Sequence, residues 1–428
     1  MSDDVVVHRV EGSTAHGGAH REFKSSPIGG ATQESSSGFG GVEVVGRRPT
    51  VRVVFTWGCG AVDSLSVMGR RVAAAVLGIV VAGVAVPDAG AAVDGVRVLG
   101  EQVVGHDAEF GGTVVGGLSG IDYRSATGEF VLISDDRSEK GPARVYTARI
   151  PLGEDGIGPV GFTGTKPLLR ADGATYSPKS VDPEDIRVDP WTGDYFWTQE
   201  GERAGEVLAD PSVRVARADG GFVAELPIPE NERMRADSGP RQNQALEGAT
   251  FAAGGALFVT AMEGPLLQDG PGATTTAGAT TRITVQARFG PVLAQYAYPL
   301  EPVFAESRPE AGQASNGVTA ILADDTVDPT RFLVVERAFA KGVGNRVRIF
   351  EIDTTAASTV LDAPIAGARP VAKRLVADLA DLGIEAVDNI EGMTWGPRLP
   401  SGERTLVLVA DNNFASEQRT QLIALAVR

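Results

Sequence analysis

The sequence predicts an all-β protein, a β-propeller of five blades, and three observations predict it. One hairpin design recurs five times along the 428 residues. The 54 Gly and 25 Pro favour many turns over long helices. An apolar strand stands alone before the first repeat, and the last repeat is one strand short, as expected of a ring whose last blade is completed by its first strand.

The clearest copy of the hairpin is QALEGATFAAGGALFVTAMEG, from Gln244 to Gly264. A Glu-Gly pair opens a short apolar run, a Gly-containing turn follows, and a second run ends on an acid. The other copies are LSGIDYRSATGEFVLISDD from 118, PEDIRVDPWTGDYFWTQEG from 183, SNGVTAILADDTVDPTRFLVVER from 315 and IEGMTWGPRLPSGERTLVLVADN from 390. Ser119 to Asp135, Glu184 to Glu200 and Glu247 to Glu263 are each 16 residues apart, while Asn316 to Glu336 and Glu391 to Asp411 are each 20. The extra four are assigned to the hairpin turn, at 325–329 and 397–402. Successive copies start 65, 63, 69 and 75 residues apart, longer than the roughly 40–50 residues of an ordinary propeller blade. Loops must carry the excess, and six blades with one irregular member is the alternative count.

Before the repeats, residues 1–67 are rich in Gly and Ser without periodicity, and read as a disordered extension or a misassigned start. Residues 68–92 have the order of a secretory signal peptide: Arg70 and Arg71, the apolar run 72–86, then the small residues 89–92. General export fits this segment better than the twin-arginine route. The run is shorter than the about 20 residues that span a bilayer. The expected domain is therefore 93–428, secreted or extracytoplasmic, with no stable membrane anchor after processing. It would lack Cys59, the chain's one cysteine, and so any disulfide.

Taking the domain in order, Val96–Val104 is the lone strand. Blade one continues with 144–150 and 161–169, blade two with 213–217 and 222–228, and blade three with 283–288 and 292–298. Between them 268–281 has the composition of a flexible loop. Blade four adds 347–352 and 372–379, and blade five only 421–427.

The formal net charge of −16 argues against nucleic acid and anionic membrane as partners. Residues 1–92 carry eight acidic and eight basic side chains, so the imbalance belongs to 93–428. A small-molecule substrate, with an anionic one among the candidates, and a monomeric state are expected.

In a propeller the start of each first strand and the end of each second strand share one mouth of the central channel. The inner set there is Ser119, Glu184, Glu247, Asn316 and Glu391; the outer set is Asp135, Glu200, Glu263, Glu336 and Asp411. Oxygen donors converging from several blades suit a hard cation such as calcium. Glu184, Glu247, Asn316 and Glu391 are the expected metal ligands. The outer acids read first as partners of turn amides or of nearby Lys and Arg. Arg137, Arg203, Arg337 and Lys341, just beyond second strands, are candidate holders of an anionic substrate. After residue 92 the only histidine is His106, which excludes a histidine-rich zinc site. No residue is singled out as the catalytic group.

GGLSGIDYRSATGEFVLISDDRS with RVYTARI, then VDPEDIRVDP, WTQEGE, NQALEGATF, GNRVRIFEID, NIEGMTWG and LVADNNF together resemble the phytase-like family known as "esterase-like activity of phytase". The resemblance covers 96–428. It implies a secreted propeller related in fold to the alkaline, calcium-dependent phytases, hence a hydrolase of phosphate or carboxylic esters. EGATFAAGGALFV and SNGVTAILADD are similar to hairpins of the gluconolactonase-like propellers. That similarity implies a divalent ion on Glu247 and Asn316, with Glu184 or Glu391 beside them, and a lactone as the alternative substrate. A non-catalytic secreted binding propeller is the third reading.

Overall fold

The computed structural model describes residues 95–428 apart from 326 and 385. The extension, the signal segment and Cys59 lie outside the described residues. Among those described, strands carry nearly all the regular structure, four short 3₁₀ turns are the only helical elements, and no helix is long and apolar enough to cross a membrane.

Five four-stranded antiparallel sheets follow one another along the chain. Blade one consists of Leu118–Arg124, Glu129–Ser134, Arg144–Arg149 and Gly161–Pro167. Blade two consists of Pro183–Val188, Tyr195–Gln199, Ser212–Ala216 and Phe222–Leu226. Blade three consists of Leu246–Ala252, Leu257–Met262, Ala279–Ala287 and Val292–Leu300. Blade four consists of Ala314–Ala323, Arg331–Ala340, Gly344–Asp353 and Ala372–Asp378. Blade five consists of Asn389–Trp395, Arg404–Asp411 and Thr420–Val427, with Val96–Val104 hydrogen-bonded along the outer side of its last strand. The blade count is five.

The strands are apolar on both faces, as in TLVLVA of blade five, because each sheet is covered twice. Val131, Ile133, Tyr195 and Trp197 pack blade one on blade two, and Phe196, Val213 and Phe258 pack blade two on blade three. Val259, Ile283, Val318 and Phe332 form the seam of blades three and four, and Val335, Ile349, Leu406 and Leu408 that of four and five. Leu132 and Tyr146 meet Val407 and Leu422, so blade five also packs on blade one. Each fully buried side chain of this kind contributes about 1.5–3 kcal/mol.

At the axis the innermost strands approach backbone to backbone. A Cβ on Gly120 would stand 2.7 Å from Asp185 Cα, and one on Gly248 would stand 2.7 Å from Ile321 N. That crowding explains why Gly follows Ser119, Glu247 and Glu391. The innermost pairing also breaks register at the same place in every blade: between 118 and 120, 183 and 186, 246 and 248, 318 and 320, and 390 and 392. A β-bulge here re-aims one side chain per blade. The residues re-aimed are Ser119, Glu184, Glu247, Thr319 and Glu391.

The bulge corrects the alignment of blade four. Equal 20-residue spacing had matched Asn316 with Glu336, but Val318 pairs with Glu336 and Thr319 is the bulged residue. The position equivalent to Asp135, Glu200, Glu263 and Asp411 is then Arg337. In this register Thr319 and Arg337 stand 18 residues apart, two more than the 16 of the first three blades, and 325–329 lie between the two strands.

Candidate metal centre

One layer below the bulges the channel is closed by a single side chain. Arg187, only 2% exposed, donates from Nε to Ala249 O at 2.6 Å and from Nη1 to Ile121 O at 3.1 Å and Met393 O at 3.0 Å. Its Nη2 donates to Asp185 Oδ2 at 2.7 Å and to Ile321 O at 3.5 Å. One guanidinium from blade two thus reaches a carbonyl of each of the other four blades. Asp185 completes the unit by accepting from Ala249 N at 2.8 Å. The fork of five donors makes Arg the residue able to do this, where a lysine ammonium has three.

Above this plug lies a cavity of about 330 Å³ whose lining includes Asp135, Asp182, Glu184, Glu247 and Glu391. Glu200, Glu263 and Asp411 stand beside them, all buried. Asp182, Glu184 and Glu200 bring carboxylate oxygens within 4.8 Å of one another, and so do Glu200, Glu247 and Glu263. Glu200 belongs to both groups. These buried acidic clusters offer a hard cation the oxygen donors it takes, and no histidine or cysteine is among them.

The electrostatics show how uncomfortable the acids are without a counter-ion. Burial, then repulsion from neighbouring acids, holds the carboxyls of Asp135, Glu184, Glu200, Glu247 and Asp411 well above the ordinary carboxylate range. Burial raises Asp182 and Glu263 to about 7 against the pull of Arg137 and of Arg337 respectively. Among the described residues only these two arginines answer the cluster directly. Arg337 Nη2 lies 3.2 Å from Glu263 and 3.7 Å from Glu391, and Nη1 bonds Asn389 Oδ1. Arg137 pairs with Asp182 and Glu202. Burial works against the charge of Arg337, but Glu391, Glu263, Glu247 and Asp411 outweigh it and its pKa is raised.

The structure therefore gathers Glu184, Glu247 and Glu391 and sets Asn316 apart. Asn316 Nδ2 is spent on Glu301 O at 2.8 Å and Glu336 Oε2 at 2.7 Å, in a network with Lys373 and Tyr298. Its bulge counterpart Thr319 donates to Ile390 O at 2.9 Å, and Ser119 likewise donates to Glu184 O at 2.6 Å. Both hydroxyls fasten one blade to the next rather than enlarging the donor set. Of the cations, Arg137 lines the cavity and Arg337 reaches into the cluster. Arg203 is occupied instead by the loop carbonyls of Pro240, Arg235 and Ser238, all at 2.7 Å. Exposed Lys341 is not part of the cavity wall; its backbone ties blade four to Gln313 and Arg308.

Sequence reasoning set aside Glu200 and Glu263 as turn partners and passed over Asp182 and Arg187. For Arg187 a signal existed. Third after the bulge stand Asp122, Thr250 and Thr394 in blades one, three and five, polar positions inside otherwise apolar strands.

Residues 113–414 match the model of the Phytase-like family, described as esterase-like activity of phytase. The chain belongs to that phytase-like family. No curated protein matches it. Among solved structures it is similar to the periplasmic gluconolactonase of Pseudomonas aeruginosa at 14% identity and a TM-score of 0.34, covering 77% of this chain and 93% of that one. A gluconolactonase from Xanthomonas campestris follows at 13% and 0.30, covering 79% and 98%. Hydrazine synthase of Kuenenia stuttgartiensis gives 13% and 0.33, covering 71% and 81%. Likenesses this distant do not bear on what this phytase-like protein does.

Proposed function

We propose that this phytase-like protein is an extracytoplasmic, calcium-dependent hydrolase of phosphate or carboxylic esters. The observation that carries the proposal is the pair of buried carboxylate groups that share Glu200 and contribute Asp182, Glu184 and Glu247 to the wall of the pocket. Asp182, Glu184, Glu200, Glu247 and Glu263 would hold the ion, with Glu391 beside them. A divalent cation there supplies Lewis acidity to an ester oxygen.

The chain's own residues supply the rest. Arg187 keeps water and substrate from passing through the ring, so entry and exit share one mouth. Arg337 is a fixed positive charge inside the cluster and Arg137 one on its wall, together suited to an anionic group. Asp135 and Asp411 belong to neither carboxylate triad and are the candidates to take a proton from the attacking water. Export rests on the segment 68–92.

The test is activity of residues 93–428 on phosphate monoesters, acyl esters and lactones, with calcium and with a chelator. Calcium-dependent ester hydrolysis supports the proposal, and turnover of lactones alone favours a gluconolactonase-like chemistry. Protein that carries no metal and whose melting temperature ignores both calcium and chelator sinks it.

A further inference from the structure

The wall of the mouth beside Asp135 and Asp411 has a construction that metal binding does not explain. Asn413 and Phe414, just after the second strand of blade five, are consecutive left-handed residues with φ of 46° and 51°. Left-handed backbone is uncommon outside glycine and is an outlier for a bulky side chain. Strain of this kind persists where the surroundings over-determine it, and it gathers at ligand sites. Here Asp411 Oδ1 accepts from Asn413 N at 2.8 Å, and Asn412 Oδ1 accepts from Phe414 N at 3.1 Å and from Gly117 N at 2.9 Å.

The strained pair lays the Phe414 ring on the Gly116–Gly117 backbone. A Cβ on Gly116 would stand 2.8 Å from Phe414 Cε1, and one on Gly117 would stand 2.7 Å from Cε2. Phe414 also lines the same 330 Å³ cavity as Glu184, Glu247 and Glu391, and remains half-buried, not sealed in the core. Lys140 Nζ sits 5.9 Å from the ring centroid. Lys140 makes no ion pair among the described residues although Asp135 and Asp136 line the same pocket. An aromatic side chain with a lysine ammonium over its ring, in a pocket that carboxylates also line, fits a substrate with an aromatic body and an anionic head.

We propose that Phe414 and Lys140 form the specificity subsite of the mouth: Phe414 takes the ring of a ring-bearing anionic ester and Lys140 its anionic group. The inference rests on the hydrolase reading for the word substrate, but the binding it requires is measured without turnover. The Phe414 ring stacks on a ring face through its quadrupole and apolar area, which a short-chain ester cannot exploit.

Isothermal titration of calcium-loaded protein with phenyl phosphate and with methyl phosphate tests it. Wild type should bind phenyl phosphate about tenfold tighter than methyl phosphate, equivalent to about 1.4 kcal/mol. Phe414→Ala should abolish that preference and leave the methyl phosphate affinity within about twofold. Phe414→Leu keeps apolar bulk without a flat face and should also lose the preference, which guards against misfolding of the alanine variant. Lys140→Met should weaken both probes together. Equal loss of both probes in the Phe414 variants, an unchanged preference, or no binding of either probe by wild type overturns the subsite. Calcium-dependent turnover of other esters in that last case would leave the hydrolase reading standing, whereas ring-selective binding without any turnover would leave the subsite and remove the hydrolase.

Discussion

Two layers of the same channel, with Arg187 three residues beyond the bulged Glu184, treat charge in opposite ways. Around Arg187 charge is answered: four carbonyls and Asp185 accept from the guanidinium, and Asp185 also accepts from Ala249 N. At the mouth, eight carboxylates gather round Arg337 and Arg137. Both layers are buried around the axis, so burial alone does not separate them. What separates them is whether the chain supplies the partner. The lower layer is complete by itself and reads as a fastening; the upper one is incomplete and reads as a receptor for something positive.

Breaking the lower layer should have the largest effect. Arg187→Met keeps volume but leaves the carbonyls of Ile121, Ala249, Ile321 and Met393 without their donor and Asp185 buried without its cation. Removing one partner of a buried pair costs about 3–5 kcal/mol, and the urea midpoint should fall accordingly. Arg187→Lys should recover only part of the loss, since an ammonium cannot span four blades. A midpoint within error of wild type would mean that the plug fastens nothing.

The upper layer should respond in the opposite sense. Glu247→Gln removes one repelling charge and keeps the shape, so in chelator its melting temperature should equal or exceed that of wild type. Wild type in calcium at a hundredfold excess over the dissociation constant should gain about 2.7 kcal/mol, and the variant should lose most of that gain. Thermal unfolding with calcium and with chelator reads both. A variant that is destabilised in chelator and still responds fully to calcium would place Glu247 in the packing and outside the donor set.

How much of this was legible in the sequence follows from which physics each part obeys. The five hairpins were legible because each must bury two apolar faces and end on a polar residue at the axis, a pattern written locally. Their spacing located Glu184, Glu247 and Glu391. It failed in blade four, because counting from Asn316 to Glu336 cannot see a register break: the bulge at Thr319 is fixed by pairing across strands. The same blindness hid Arg337 as the one basic member of the outer ring, and spacing could not show that Arg203 is held by three loop carbonyls. Arg187 was hidden for a different reason, since its partners are backbone atoms up to 206 residues away, which no side-chain motif records.

A third buried acid sharpens the comparison, with the smallest expected effect. Glu232, 1% exposed, lies outside the mouth, where its Oε1 accepts from Thr284 Oγ1 and from Gln295 Nε2 at 2.7 Å. Burial raises its carboxyl to about 7 even though those two hydrogen bonds and Arg282 pull it down. It is buried and shifted like the mouth acids, but its hydrogen-bond partners are neutral donors and it belongs to neither of the carboxylate groups of metal-binding size. Because the folded state holds its proton more tightly than the unfolded chain, its contribution is fully present below about pH 4.5. It is then lost as pH rises through about 7. Glu232→Gln imitates the protonated form, so the variant should match wild type in acid and be more stable above pH 7, by on the order of 1–2 kcal/mol after local relaxation. Urea unfolding between pH 4.5 and 8 measures the difference, and a pH-independent one would show that Glu232 does not titrate in this range. The calcium response of this variant should equal that of wild type at every pH. If it does not, a raised buried carboxyl far from the mouth is coupled to the ion, and the contrast between a shifted acid and a binding acid fails.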